Sequence, residues 1–248
     1  MPFRFVLTAC CVLWPNLTAA SCPDLSLVLA IDSSGSIRAD EFNLQKLGYS
    51  AALSSTQVQR ALAAAGIVDV AVVFWGDADF RFETIPWHRI QSAKDANALA
   101  VEILSSEREG FGNTDIGSGL QAALNMLDLP NRCTRRAVIN VSGDGKNSSL
   151  TSGRQRSQNS HVPLPAARAE AARLGVTVNA LAITNEEPAL EEYYRDNLIS
   201  GSDSFVMSVA GFETFGIAIA QKLEREISGP AYAVLGAVLR TNPPVNRF

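Results

Sequence analysis

Four nearly unbroken apolar runs constrain this chain most: LSLVLAI at 25–31, IVDVAVVFW at 67–75, AVINVS at 137–142 and VTVNALAI at 176–183. They are too short to cross a membrane. They are also too uniformly apolar for strands with one wet face, and they suit a parallel sheet buried on both sides. Helix candidates alternate with them at 40–54, 92–105 and 116–127, and in PAARAEAARLG, where Gly175 marks the stop. EEPALEEYYRDNLI, SFVMSVA and FETFGIAIAQKLEREI then read as helix, strand and helix. The close succession of IVDVAVVFW and FRFETIPW predicts a hairpin, so one strand runs antiparallel. Phe74, Trp75, Phe82 and Trp87 flank that hairpin and are expected to pack in the core or along its edge. The expected fold class is α/β with a mostly parallel sheet.

Ligands of open α/β sheets bind outside the carboxyl ends of the strands. The first run ends there in Asp32, Ser33, Ser34, Gly35 and Ser36, a concentration of oxygen donors. Two further loops reach the same end: GFGNTDIGSG with Thr114, and SGDGKNSS with Asp144. A hard cation such as Mg²⁺ takes about six oxygens and keeps some as water. The residues are therefore read either as turn and cap formers or as ligands to a metal.

The N-terminus reads as an export leader over 1–20: Arg4, an apolar stretch, then Thr18-Ala19-Ala20 before Ser21. A lipid-modified Cys22 is the alternative. Either way the chain is expected outside the cytoplasm, periplasmic or secreted, with no transmembrane segment, since AYAVLGAVL near the end is too short. Of four cysteines, Cys22 and Cys133 survive cleavage, each just upstream of an apolar run. If those strands are parallel neighbours the two could form a disulfide; otherwise they are separate buried thiols. The net charge of -4 is spread along the chain, and no basic patch argues for nucleic acid.

Asp32, Ser34 and Ser36 resemble the D-x-S-x-S of von Willebrand factor type A (VWA) domains, with Thr114 and Asp144 matching the Thr and Asp of that family's other two metal loops. The resemblance spans about 23–228. VINVSGDG, PWHRI, EEYYRDNLISG and AQKLEREI look similar to a bacterial exported subfamily labelled DUF1194. The resemblance implies a Rossmann-like, doubly wound, six-stranded sheet with one antiparallel edge strand. It also implies a metal-ion-dependent adhesion site holding Mg²⁺, Mn²⁺ or Ca²⁺ on Asp32, Ser34, Ser36, Thr114 and Asp144. Its neutral hydroxyls would leave the ion electrophilic enough to accept a carboxylate from a partner protein. The last loop departs from the family's Thr-Asp-Gly, because Ser142 and Gly143 precede Asp144.

That reading makes the chain a binding module rather than an enzyme. The competing classes are a metal-dependent hydrolase and an assembly factor whose metal only stabilises the fold. Against a hydrolase, Ser34 stands where an aspartyl phosphatase wants a second Asp, and Gly-x-Ser-x-Gly is absent. Arg154, Arg156 and His161 lie in the long loop after Asp144 and read either as a solvated loop or as a basic lip that favours an acidic partner. Two histidines, His88 and His161, offer no spacing for a two-histidine zinc site. The segment 229–248 reads as a loosely docked tail without an assigned role.

Overall fold

The computed structural model describes residues 21–109, 111–129, 131–148 and 161–241, with side chains as far as Gly229. The leader at 1–20, and Arg154 and Arg156, lie outside the described residues.

Strand β1 (Leu25–Asp32) is followed by α1 (Ala39–Ser54), α2 (Thr56–Ala65), β2 (Val68–Trp75), β3 (Glu83–Ile90) and α3 (Ala93–Ser105). Then come α4 (Ile116–Leu127), β4 (Ala137–Gly143), α5 (Leu164–Arg173), β5 (Thr177–Ile183), α6 (Leu190–Asn197) and β6 (Val206–Val209). A short 3₁₀ turn leads into α7 (Phe215–Thr241). The sheet has six strands in the order β3-β2-β1-β4-β5-β6. All neighbours are parallel except β2 and β3. This is the expected doubly wound arrangement. Pro86 lies in β3, where an outer strand tolerates a residue that cannot donate to the ladder, and the register slips opposite it between Val70 and Val72.

Alternation along the buried strands sorts the core into two layers. Leu25, Leu27, Leu29 and Ile31 of β1 join Val70, Val72 and Phe74 of β2 under α1, α2, α3 and α7. Val28 and Ala30 join Trp75, Ile139 and Val141 under α4, α5 and α6. Phe74, Trp75 and Phe82 are buried in these layers. Trp87 is partly buried at the edge, with the Arg132 guanidinium 3.9 Å from its ring centroid. The four aromatics thus pack as expected.

Three departures have local causes. Helix α2 was not anticipated: Ser55 ends α1 in extended conformation (φ -72, ψ 144) and at once caps α2 by accepting from Val58 N, so two helices abut without a loop to announce them. Strand β3 starts only at Glu83 and runs on to Ile90, later than FRFETIPW suggests. The backbone past Gly229 is helical as far as Thr241, a helix that the sequence pattern does not place. Gly229 breaks the helix with φ 70, and Pro230, whose missing N–H is harmless in a first turn, restarts it.

Cys22 and Cys133 are bonded across a sequence separation of 111. They precede β1 and β4, which pair from Ser26 opposite Ala137 onward, so the bridge ties two adjacent strands where they enter the sheet.

Candidate metal centre

The strand order reverses at β1, which lies between β2 and β4, and the carboxyl ends of β1 and β4 open the crevice expected of such sheets. Asp32 is the last residue of β1 and Asp144 the first after β4. The sequence-predicted donors converge there. Ser34 Oγ is 3.2 Å from Ser36 Oγ and 3.3 Å from Thr114 Oγ1. Ser36 Oγ donates to Asp144 Oδ1 at 2.7 Å, and Ser34 N donates to Asp32 Oδ1 at 2.8 Å. Three loops separated by up to 108 residues thus meet in one hydroxyl and carboxylate cluster.

Asp32 and Ser34 are 0% exposed, Asp144 2% and Thr114 6%. Asp32 Oδ2 and Asp144 Oδ2 are buried without a hydrogen-bond partner among the described residues. A buried polar atom left unpaired costs about 1–3 kcal/mol, more if charged, so a protein seldom keeps two such oxygens together without something to bind. Burial first, and the neighbouring Asp144 second, push the Asp32 carboxyl up to about 7. Burial raises Asp144 as well, with Glu186 and Glu41 adding repulsion, against the hydrogen bond from Ser36. The donor set of hydroxyls and carboxylates suits a hard divalent cation.

The loop carrying Ser34 is held from four directions. Ser33 N and Oγ donate to Trp75 O at 2.7 and 2.9 Å. Gly35 N donates to Gly112 O at 2.8 Å. Gln45 Nε2 reaches Asp32 O at 3.0 Å from α1. Arg108 donates through Nε to Ser33 O at 2.9 Å and through Nη2 to Ser34 O, with its guanidinium 4.7 Å from the Phe111 ring centroid. Sequence reasoning missed Arg108 because its role is to clamp two carbonyls, for which no spacing signal exists.

Gly143 explains the unusual last loop. A Cβ there would sit 2.7 Å from the Tyr194 hydroxyl and 2.8 Å from Asp32 Oδ2. The missing side chain makes room for the buried carboxylate and for Tyr194, which donates to Gly145 O at 3.1 Å and steadies the Asp144 loop.

A buried polar network lies beneath the centre, on the face covered by α1 and α7. Gln45 Oε1 accepts from Ser142 Oγ at 3.4 Å, and the Tyr49 hydroxyl lies 3.1 Å from Ser142 Oγ and 2.9 Å from Asn140 Oδ1. Asn140 Nδ2 donates to Glu226 Oε2 at 2.6 Å. Glu226 Oε1 accepts from Asn179 Nδ2 at 3.1 Å and from Lys222 Nζ at 2.6 Å. The side chains of Lys222 and Glu226 are both 0% exposed.

Of the expected basic lip, only His161 lies among the described residues. Its Nδ1 is 2.7 Å from Asp115 Oδ2, so the ring pairs with a buried carboxylate rather than standing ready for an acidic partner.

A family model described as a protein of unknown function (DUF1194) matches residues 21–231. No curated protein matches the chain. Among solved structures, the pilus adhesin SpaC from Lactobacillus rhamnosus GG is 16% identical with a TM-score of 0.58, over 85% of this chain and 31% of that one. Proximal thread matrix protein 1 from the mussel byssus, in a structure with a zinc-occupied MIDAS motif, is 16% identical with a TM-score of 0.56, over 84% of this chain and 48% of that one. The vWF domain of the type V pili tip protein Mfa5 from Porphyromonas gingivalis is 13% identical with a TM-score of 0.51, over 86% of this chain and 98% of that one. The chain thus spans under a third of the length of SpaC and just under half that of proximal thread matrix protein 1.

Proposed function

Because the chain belongs to the DUF1194 family and has the fold of VWA domains, we propose that it is an exported binding module. It holds a divalent cation on Asp32, Ser34, Ser36, Thr114 and Asp144 and uses that ion to capture an acidic side chain of a partner protein. The observation that carries this reading is the pair of buried oxygens, Asp32 Oδ2 and Asp144 Oδ2, without a hydrogen-bond partner among the described residues, beside three hydroxyls drawn from two loops. Mg²⁺ fits the donors best, and Mn²⁺ or Ca²⁺ would be accepted by the same oxygens. The three hydroxyls add no charge, so the bound ion keeps its appetite for an external carboxylate.

Other features agree. The Cys22–Cys133 bond belongs in an oxidising compartment, and it occupies the sulfur that a lipid anchor would require. Among the described residues no helix is long and apolar enough to cross a membrane. We assign 1–20 to the leader and 23–228 to the binding domain, and place the boundary of the C-terminal segment at the Gly229 break. A hydrolase is disfavoured by chemistry: Ser34 occupies the position of the acid that an aspartyl phosphatase needs.

Isothermal titration of Mg²⁺ and Mn²⁺ into chelator-treated protein tests the metal centre. Binding is expected in the wild type and absent in Asp32→Ala with Ser34→Ala. Heat unchanged by the substitutions would overturn the assignment. Asp144→Ala separates adhesion from a purely stabilising metal: lost partner binding with a largely intact melting temperature supports adhesion, whereas loss of both together supports an assembly factor.

The Asp32 carboxyl gives a pH signature of known sign. Its value in the metal-free fold, about 7, exceeds its ordinary 3.8, so folding favours the protonated form. The stability this contributes is present below about 4 and is lost as pH rises through about 7. A cation binds the ionised form and acts in the opposite direction. Mg²⁺ is therefore expected to raise the melting temperature more at about pH 8 than at about pH 5, and to bind more weakly at the lower pH. Equal shifts at the two values would remove Asp32 from the ligand set.

A further inference from the structure

The loop after β2 and the segment entering α5 meet beside the centre already described. There Asp77, Asp79 and His161 each direct one ligand atom into a common space, all within 4.8 Å of one another. Zn–N and Zn–O bonds of about 2.0–2.2 Å separate neighbouring ligand atoms by roughly 3–4 Å, so small side-chain rotations would close these three on an ion. We propose that Asp77, Asp79 and His161 form a second cation site, separate from the hydroxyl-lined one, that takes a borderline metal such as Zn²⁺.

Three observations carry the assignment. The first is the donor set: an imidazole with two carboxylates suits Zn²⁺, whereas the hydroxyl cluster at Ser34, Ser36 and Thr114 suits a harder ion. The second is the orientation of the histidine. Asp115 is 0% exposed, accepts from Ser118 N at 3.1 Å and Ser118 Oγ at 2.8 Å, and lies 2.7 Å from His161 Nδ1. A neutral imidazole that donates its Nδ1 proton to this fixed carboxylate keeps its lone pair on Nε2, the carboxylate–histidine pairing by which proteins orient a metal-ligating ring. Asp115 is not itself in the cluster. The third is electrostatic. The Asp79 carboxylate has no hydrogen-bond or ion-pair partner among the described residues, although it shares the space with the Asp77 carboxylate. A cation held between these two carboxylates would be shared by both.

Asp77 also ties the two sites together. Its Oδ2 accepts from Asn113 N at 3.0 Å and from Asn113 Nδ2 at 2.9 Å, next to Thr114. Gly112 has φ +82, and a Cβ there would sit 2.6 Å from that oxygen. An ion on Asp77 would therefore brace the loop that delivers Thr114, joining three loops around one rim. The assignment stands on its own residues, so it survives if the proposed adhesion function fails.

The test uses full-length protein carrying Asp32→Ala and Ser34→Ala, so that zinc cannot report on the first site. After chelator treatment this protein is expected to bind one equivalent of Zn²⁺ by isothermal titration. Adding His161→Ala or Asp79→Ala should weaken that binding on the order of a hundredfold. Both residues are partly exposed, so the fold should survive, which circular dichroism checks. Wild-type protein supplies a second readout, because the chain has only two histidines. Zn²⁺ should shift the ring resonances of His161 and leave those of His88, which pairs with Glu102 at 2.8 Å, in place. No zinc equivalent in the Asp32→Ala, Ser34→Ala background, affinity unmoved by His161→Ala, or an unperturbed His161 ring would each overturn the proposal.

Discussion

Glu226→Ala is expected to destabilise the protein by about 3–5 kcal/mol, because removing one member of a buried ion pair strands the other charge. Lys222 Nζ is 2.6 Å from Glu226 Oε1, both side chains are wholly buried, and burial already drives the lysine below its ordinary value. The substitution would also leave the Asn140 and Asn179 amides, 2.6 and 3.1 Å from the carboxylate, without an acceptor. Lys222→Met combined with Glu226→Leu removes both charges and should recover part of the loss, but not all, since the two amides stay unpaired. Urea denaturation of the three proteins decides the matter. A loss below about 1 kcal/mol for Glu226→Ala would mean that water or a rearranged Lys222 satisfies the site. Because the network continues through Asn140, Tyr49, Ser142 and Gln45 to the carbonyl of Asp32, the same variant should also loosen the metal loop.

Replacing Cys22 and Cys133 by serine should cost a similar amount. The bridge spans 111 residues, and closing a loop of that length restricts the unfolded chain by about 4–5 kcal/mol in the chain-entropy model. For a chain of this size that corresponds to a fall in melting temperature on the order of 10 °C. The bridge lies where β1 and β4 enter the sheet, whereas Asp32 and Asp144 lie where the same strands leave it. Metal affinity of the protein that remains folded should therefore be unchanged. Scanning calorimetry with and without a reductant, followed by Mg²⁺ titration below the new transition, measures both. A shift of less than about 2 °C would show that strand pairing alone restrains the amino ends.

The two predictions differ in how readable their origins were. Cys22 and Cys133 could be matched from sequence because each precedes an apolar run, and the match depended only on those runs being neighbours. Lys222 and Glu226 carried a weaker signal, a charged pair four residues apart on a helix, which usually marks a solvated face. Burial of that face is decided by Asn140 and Asn179, polar residues inside two strands on the side that α7 covers. Likewise Ser55 as a shared boundary of α1 and α2, and Arg108 as a clamp on Ser33 and Ser34, follow from backbone geometry that residue type does not reveal.

What the chain determined by itself is periodic or local: strands buried on both faces, helices between them, and a run of oxygen-bearing residues where the first strand stops. Those features depend on spacings of a few residues, which propensity and hydrophobic pattern record directly. Tertiary structure alone decided which distant loops share a space. The strand order placed β1 between β2 and β4, and so brought Asp144 to Ser36 at 2.7 Å and set Asp77 and Asp79 within reach of His161. Such meetings arise from closing long loops around one sheet, where the burial of whole faces, summed over many residues, outweighs the preference of any single one.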